Sequence, residues 1–167
     1  MSRLISTSGF NERIRENQAD LLRYLERRLA NPADAADTYG ETLLTAWRMR
    51  SKMPTSPEDA RLWLFTVARN VMLNSRRSLA RRSAAIQRLA DELMIATVPS
   101  DDTNSDVREA IASLPPDDAE LVRLVYWEGL ASHEAARVVG LVPSTARSRL
   151  ARARQVLRES LTAVLTL

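Results

Sequence analysis

From Phe10 to about Leu29, apolar residues recur at Ile14, Leu21, Leu22, Leu25 and Leu29. That spacing predicts an amphipathic helix. The run "NPADA" breaks it and starts another, with proline in the first turn, where a missing N–H costs nothing. This second helix continues through "DAADTYGETLLTAWRMR" to about Arg50. The prolines and serines of "SKMPTSPEDA" mark a loop. A third helix follows, to about Arg82, with Leu64, Phe65, Ala68, Val71 and Met72 gathered on one flank. Trp63 falls on the opposite flank with Asn70, Asn74 and Arg77, a large aromatic among amides and an arginine.

From Ser83 the pattern fades, and a weak helical pattern at 84–95 gives way to "TVPSDDTNSD". That composition is typical of a flexible acidic linker. Periodicity then returns as four helices, at roughly 106–113, 116–127, 131–138 and 143–163. "SLPPDD" stops the first, Gly129 the second and Gly140 the third. With no strand pattern and no internal repeat, the expected class is all-α. Two small helical domains are expected at residues 8–82 and 108–165, joined by a flexible acidic linker at 83–107.

Charge sharpens this division. The formal net charge is only +3, and Lys52 is the only lysine. Residues 61–82 carry Arg61, Arg69, Arg76, Arg77, Arg81 and Arg82 without an acid. Residues 135–158 carry Arg137, Arg147, Arg149, Arg152, Arg154 and Arg158, again without one. Between them, residues 91–120 hold nine acids against the single Arg108. Two basic poles suit two nucleic-acid contacts, and solvated basic helix faces would read the same way. The chain has no cysteine, which removes thiolate metal sites and suits a reducing cytoplasm. No apolar run reaches membrane-span length, and "MSRLISTSGFNER" lacks a signal-peptide core. The only histidine, His133, has no partners for metal binding or catalysis nearby in sequence, and no phosphate-binding glycine loop is present. No enzyme, metal or cofactor is expected.

"SHEAARVVGLVPSTARSRLARAR" has helix-turn-helix spacing. Small Ala135 and Ala136 allow close approach, Gly140 makes the turn, and a longer helix starts near Pro143 and Ser144. Ala146, Leu150, Ala153, Leu157 and Leu161 form its apolar stripe. Ser144, Ser148 and Arg152 lie opposite, with Thr145 and Arg149 beside them and Arg147 and Arg154 along one edge. Hydroxyls at the helix start allow close approach to a groove. Arg149 and Arg152 can donate to base edges or phosphates, and Arg147 and Arg154 to phosphates from the flank.

With these pieces in order, the chain resembles the extracytoplasmic-function (group IV) sigma factors of bacterial RNA polymerase. "NPADAADTYGETLLTAW" is similar to part of sigma region 2, "WLFTVARNVMLNSRR" to the promoter-reading helix that follows, and the stretch from "LPPDDAELVRLVYWEG" to "RARQVLR" to region 4. The resemblance implies a protein that binds core RNA polymerase through its β′ clamp and β subunit, directs it to promoters and helps open the duplex. It implies polymerase contacts at Asp37, Gly40 and Glu41, with Leu43, Leu44 and Trp47 packed inside. It implies −10 contacts at Trp63, Arg69, Asn70, Asn74 and Arg77, with Asn70 at an unstacked base. The −35 contacts would be Ser144, Thr145, Arg147, Ser148, Arg149 and Arg152. An anti-sigma protein is a further implied partner, and the free protein is expected to be a monomer.

Gly40 departs from the glutamine common in the family, at a cost of about 1 kcal/mol in helix propensity relative to alanine. The loop at 51–60 is not the usual glycine-aromatic version, so it names no base preference. Trp63 has two uses open to it: stacking on opened DNA, or packing against the N-terminal helix or that loop. Two other functions also fit parts of the chain: a helix-turn-helix regulator that binds DNA without polymerase, and a sigma-like decoy that titrates an anti-sigma protein.

Overall fold

The computed structural model describes the backbone of residues 5–90 and 102–165 and the side chains of residues 5–77 and 106–163. Every regular element among the described residues is helical. The chain divides into two units, Met1–Met94 and Ile95–Leu167.

The first unit begins where Ser6 accepts the Gly9 N–H at 3.1 Å, satisfying one of the free donors of a helix start. Helix α1 then runs Thr7–Glu26. It ends a turn earlier than its leucine pattern suggests, and Leu29 folds back to donate its N–H to the Leu25 carbonyl at 2.9 Å. Asn31 caps α2, Pro32–Arg48, accepting the Ala33 N–H at 2.8 Å. A short 3₁₀ turn, Arg50–Lys52, leads to the loop. Ser56 then accepts the Asp59 N–H at 3.1 Å, starting α3, Pro57–Ala90. The three helices pack on one another around Leu21, Tyr24, Leu25, Leu64 and Phe65, all fully buried. Tyr24 and Phe65 meet edge-on with ring centroids 5.3 Å apart, a favoured aromatic geometry.

Helix α3 continues past Arg82, where the pattern was expected to stop. The segment "SLARRSAAIQRLA" contains no glycine or proline and is rich in strong helix formers. Loss of an apolar stripe removes a reason to pack, not a reason to be helical. Residues 91–101, the middle of the expected linker, lie outside the described residues.

In the second unit, α4 spans Asp102–Ala112 and so begins inside the stretch read as linker. The residues "DTNS" that looked disordered are types favoured at helix starts. Helices α5, Pro116–Tyr126, α6, Ser132–Val139, and α7, Pro143–Leu165, complete the unit. Gly140 ends α6 at φ +78°, and Leu141 donates to the Ala136 carbonyl at 2.9 Å. Only a residue without Cβ adopts that left-handed turn cheaply. The Glu134 carboxylate accepts the Ala131 N–H at 2.8 Å, which ties down the start of α6. Ala135 and Ala136 of α6 and Ala146, Leu150 and Ala153 of α7 are buried, and α7 packs on α4, α5 and α6.

Candidate nucleic-acid interface

Helix α2 carries small residues inside and large ones outside. Its buried positions are Ala35, Thr38, Thr42 and Ala46. Thr42 can be buried because its hydroxyl donates to the Thr38 carbonyl at 2.7 Å. These short side chains let α1 and α3 approach closely, and they leave the leucines for the outer face. Leu44 is 52% exposed and Trp47 38% exposed, while Leu43 is half-buried. The expectation that Leu44 and Trp47 are core is therefore corrected: the alanine–threonine stripe fills that role. Trp47 rests edge-on against Phe10 with centroids 5.3 Å apart, and the Arg50 guanidinium lies 4.1 Å from its ring centroid.

Asp37, Gly40, Glu41, Leu44, Trp47 and Arg48 are all exposed. Their spacing puts them on one face of α2. A Cβ built on Gly40 would meet nothing within 4 Å, so no internal packing requires glycine there. Half-burial of the neighbouring Tyr39 pushes its phenol above the ordinary value.

Helix α3 brings its polar flank to the same region. A cavity of about 660 Å³ has Asp37, Thr38 and Glu41 on one wall and Asn70, Asn74 and Ser75 on the other. Asn70, Asn74 and Arg77 are exposed, one helical repeat apart along a single line. Trp63 begins that line but is half-buried and lies outside the cavity lining. Arg69 is half-buried and already partnered. Two other arginines of the basic pole bind their own fold. Arg61 pairs with Asp20 and lies over Phe65, with its guanidinium carbon 5.0 Å from the ring centroid. Arg76 donates to the Arg28 carbonyl at 2.6 Å, just beyond the C-terminus of α1, where unsatisfied carbonyls and the helix dipole favour a cation.

The second unit presents a comparable surface on α7. A cavity of about 480 Å³ is lined by Pro115, Asp118, Ser144, Thr145, Ser148, Arg149 and Arg152. Ser144, Arg147, Ser148 and Arg152 are exposed, and Arg147 stands outside the cavity lining. Thr145 and Arg149 are half-buried. Arg149 reaches Asp118 at 3.4 Å and Asp117 at 3.7 Å. Arg154 donates to the Tyr126 hydroxyl at 2.6 Å. Helix α7 is thus tied to α5 near both of that helix's ends. Val142, just ahead of α7, is 65% exposed, and the sequence reading passed over it. His133 is exposed.

Two features escaped the sequence reading for different reasons. The Leu44–Trp47 face was legible in the helical period, had the alanines and threonines been taken as the inner stripe. The Arg149 pairing was not legible, because its hydrogen-bond partner Asp118 lies 31 residues away along the chain, with Asp117 one further.

Among the described residues, no helix is long and apolar enough to cross a membrane. The Sigma-70 region 2 family profile matches residues 13–82, and the Sigma-70 region 4 profile matches residues 105–157. The ECF RNA polymerase sigma factor SigL of Mycobacterium tuberculosis is 31% identical over 155 residues, covering 87% of this chain and 85% of SigL. The RNA polymerase sigma-E factor of Streptomyces coelicolor is 29% identical over 160 residues, covering 92% of this chain and 86% of that protein. Among solved structures, the sigma factor RpoE of Bartonella quintana, in complex with the anti-sigma factor NepR, superposes with a TM-score of 0.67 at 25% identity. That match covers 92% of this chain and 96% of RpoE. The family is one of non-enzymatic regulators that work with core RNA polymerase on promoter DNA. Helical units with exposed amide and arginine faces, together with these matches, identify the chain as a member of the extracytoplasmic-function sigma factors of the sigma-70 family.

Proposed function

We propose that the two exposed faces divide promoter recognition between them. Residues 8–82 join the β′ clamp of core polymerase to the −10 element, 83–107 connect, and 108–165 read the −35 element beside the β subunit. The observation that carries this reading is the pair of exposed Asn70 and Asn74, facing Asp37 and Glu41 across one cavity, with exposed Arg77 next along the same line of α3. Polymerase and melted DNA must meet on the same sigma surface if binding one is to assist opening the other.

In this reading, Asp37, Gly40 and Glu41 form the polar part of the clamp contact, and Leu44 and Trp47 add its apolar part. An exposed apolar cluster rimmed by charge is the usual composition of a docking surface. Asn70 can donate and accept along the edge of an unstacked base. Trp63 offers a ring for stacking, and Asn74 and Arg77 hold the backbone. Arg69 supports this line from its half-buried position. On α7, Ser144, Thr145, Ser148 and Arg152 face the groove, and Arg147 meets phosphate from the edge. Val142 supplies an apolar side chain of the kind that contacts a thymine methyl. The protein works in the cytoplasm, is a monomer when free and takes an anti-sigma partner, as the RpoE relative does.

Run-off transcription with purified core polymerase on a promoter library tests the whole reading. Initiation well above core alone is expected, with Asn70→Ala and Arg152→Ala each reducing it. No initiation on any library member would overturn it, and tight sequence-specific binding by the free protein would favour a plain regulator instead.

A further inference from the structure

Arg149 lines the cavity in the surface assigned to the −35 element, yet its Nη1 is turned toward the start of α5. Its Nη1 lies 3.4 Å from Asp118 Oδ1 and 3.7 Å from Asp117 Oδ2. Asp118 is only 6% exposed, and a buried carboxylate without a counter-ion is costly. Both acids lie in the first turn of α5, where the helix dipole favours negative charge. Asp118 also forms part of the cavity whose other walls are Ser144, Ser148 and Arg152. An uncompensated carboxylate there would repel a DNA backbone.

We infer that Arg149 is a positioning residue for promoter recognition: it balances the buried Asp118 carboxylate and locks the reading helix onto the start of α5, while Ser144, Ser148 and Arg152 make the base-edge contacts. The inference rests on the assignment of α7 to the −35 element. Its chemistry differs from that of a base-reading arginine. A guanidinium whose Nη1 is turned toward two carboxylates keeps its charge beside them, and releasing it to a guanine or a phosphate would strand Asp118. The neighbouring Arg152 is exposed on the same surface and has no such obligation.

The test uses holoenzyme assembled from the full chain and core polymerase, with the best −35 duplex from a selection by the wild type. Two variants are compared: Arg149→Ala, and the neutral set Asp117→Asn with Asp118→Asn and Arg149→Gln. Binding is measured against every single base-pair substitution in the site and across a salt series. Arg149→Ala should weaken binding about tenfold at every sequence without changing the base ranking, because a buried charge is left alone. The neutral set should bind within about threefold of wild type, with the same ranking and an unchanged salt slope, because residues of one ion-pair network are non-additive and removing all its charges together leaves none unpaired. Relaxed discrimination at one base pair, or a salt slope smaller by about one, would show that Arg149 contacts DNA and would overturn the inference. A neutral set as weak as Arg149→Ala would overturn it too. If Arg149→Ala does not fold, the neutral set decides alone. Failure of the wild type to select any −35 sequence would defeat the underlying assignment, and is visible before either variant is tested.

Discussion

Trp47 and Trp63 look interchangeable in composition and are not so in position. Trp47 is exposed on the outer face of α2 beside Leu44, whereas Trp63 is half-buried on α3, two helical turns before Asn70. The two therefore give opposite expectations. Trp47→Ala should lower affinity for core polymerase about tenfold or more, as central aromatic anchors do, while thermal unfolding shifts little; titration of labelled protein with core checks this. Trp63→Ala should leave core binding intact and slow promoter opening, with a loss of roughly 1–3 kcal/mol if one base stacks on the ring. Fluorescence of a base analogue in the −10 element reports that step, and unfolding of the variant would instead assign Trp63 to packing. Gly40 provides a third test. Its Cβ position is open, so Gly40→Ala should stabilise the first unit by about 1 kcal/mol through helix propensity. A raised melting temperature by circular dichroism is the expected result.

Helix α2 shows how an element can be right in the sequence and inside out in its burial. Its boundaries follow from Asn31, Pro32 and the helical period, but the inner stripe is Ala35, Thr38, Thr42 and Ala46. Large apolar residues usually point inward, and here close helix approach favoured the short ones. The α6–α7 pair obeys the simpler expectation. Ala135 and Ala136 are buried with no exposed surface, so Ala136→Leu should overpack the contact and cost about 1–3 kcal/mol. Chemical denaturation should show the loss in the second unit. Helix ends were the least legible feature. The apolar pattern of α3 fades long before Ala90, because periodicity reports packing and the backbone continues wherever propensity allows.

The division into two units has a consequence for how the whole chain works. Each unit holds its own core and its own exposed polar face, and the proposed function gives each face its own promoter element. In the proposed function the acids at 101–106, of which Asp102 and Asp106 belong to α4, would lie toward the RNA channel, a path built for nucleic acid. Replacing Asp101, Asp102 and Asp106 with asparagine should change the yield of short abortive RNAs, read on a gel after initiation with labelled nucleotide. An unchanged pattern would remove the acidic stretch from initial synthesis.

The sequence by itself determined that the fold is all-helical, where the helix-turn-helix lies, and which residue types face solvent on α3 and α7. Those properties are local: helical period, capping residues and left-handed glycines act within a few positions along the chain. The tertiary structure alone decided which of the two stripes offered by the period of α2 turns inward, that Arg76 closes the end of α1, and that Arg149 belongs to Asp117 and Asp118. Each of these depends on which side of a helix a neighbour occupies, and a charge or a ring shows its partner only after distant segments have packed.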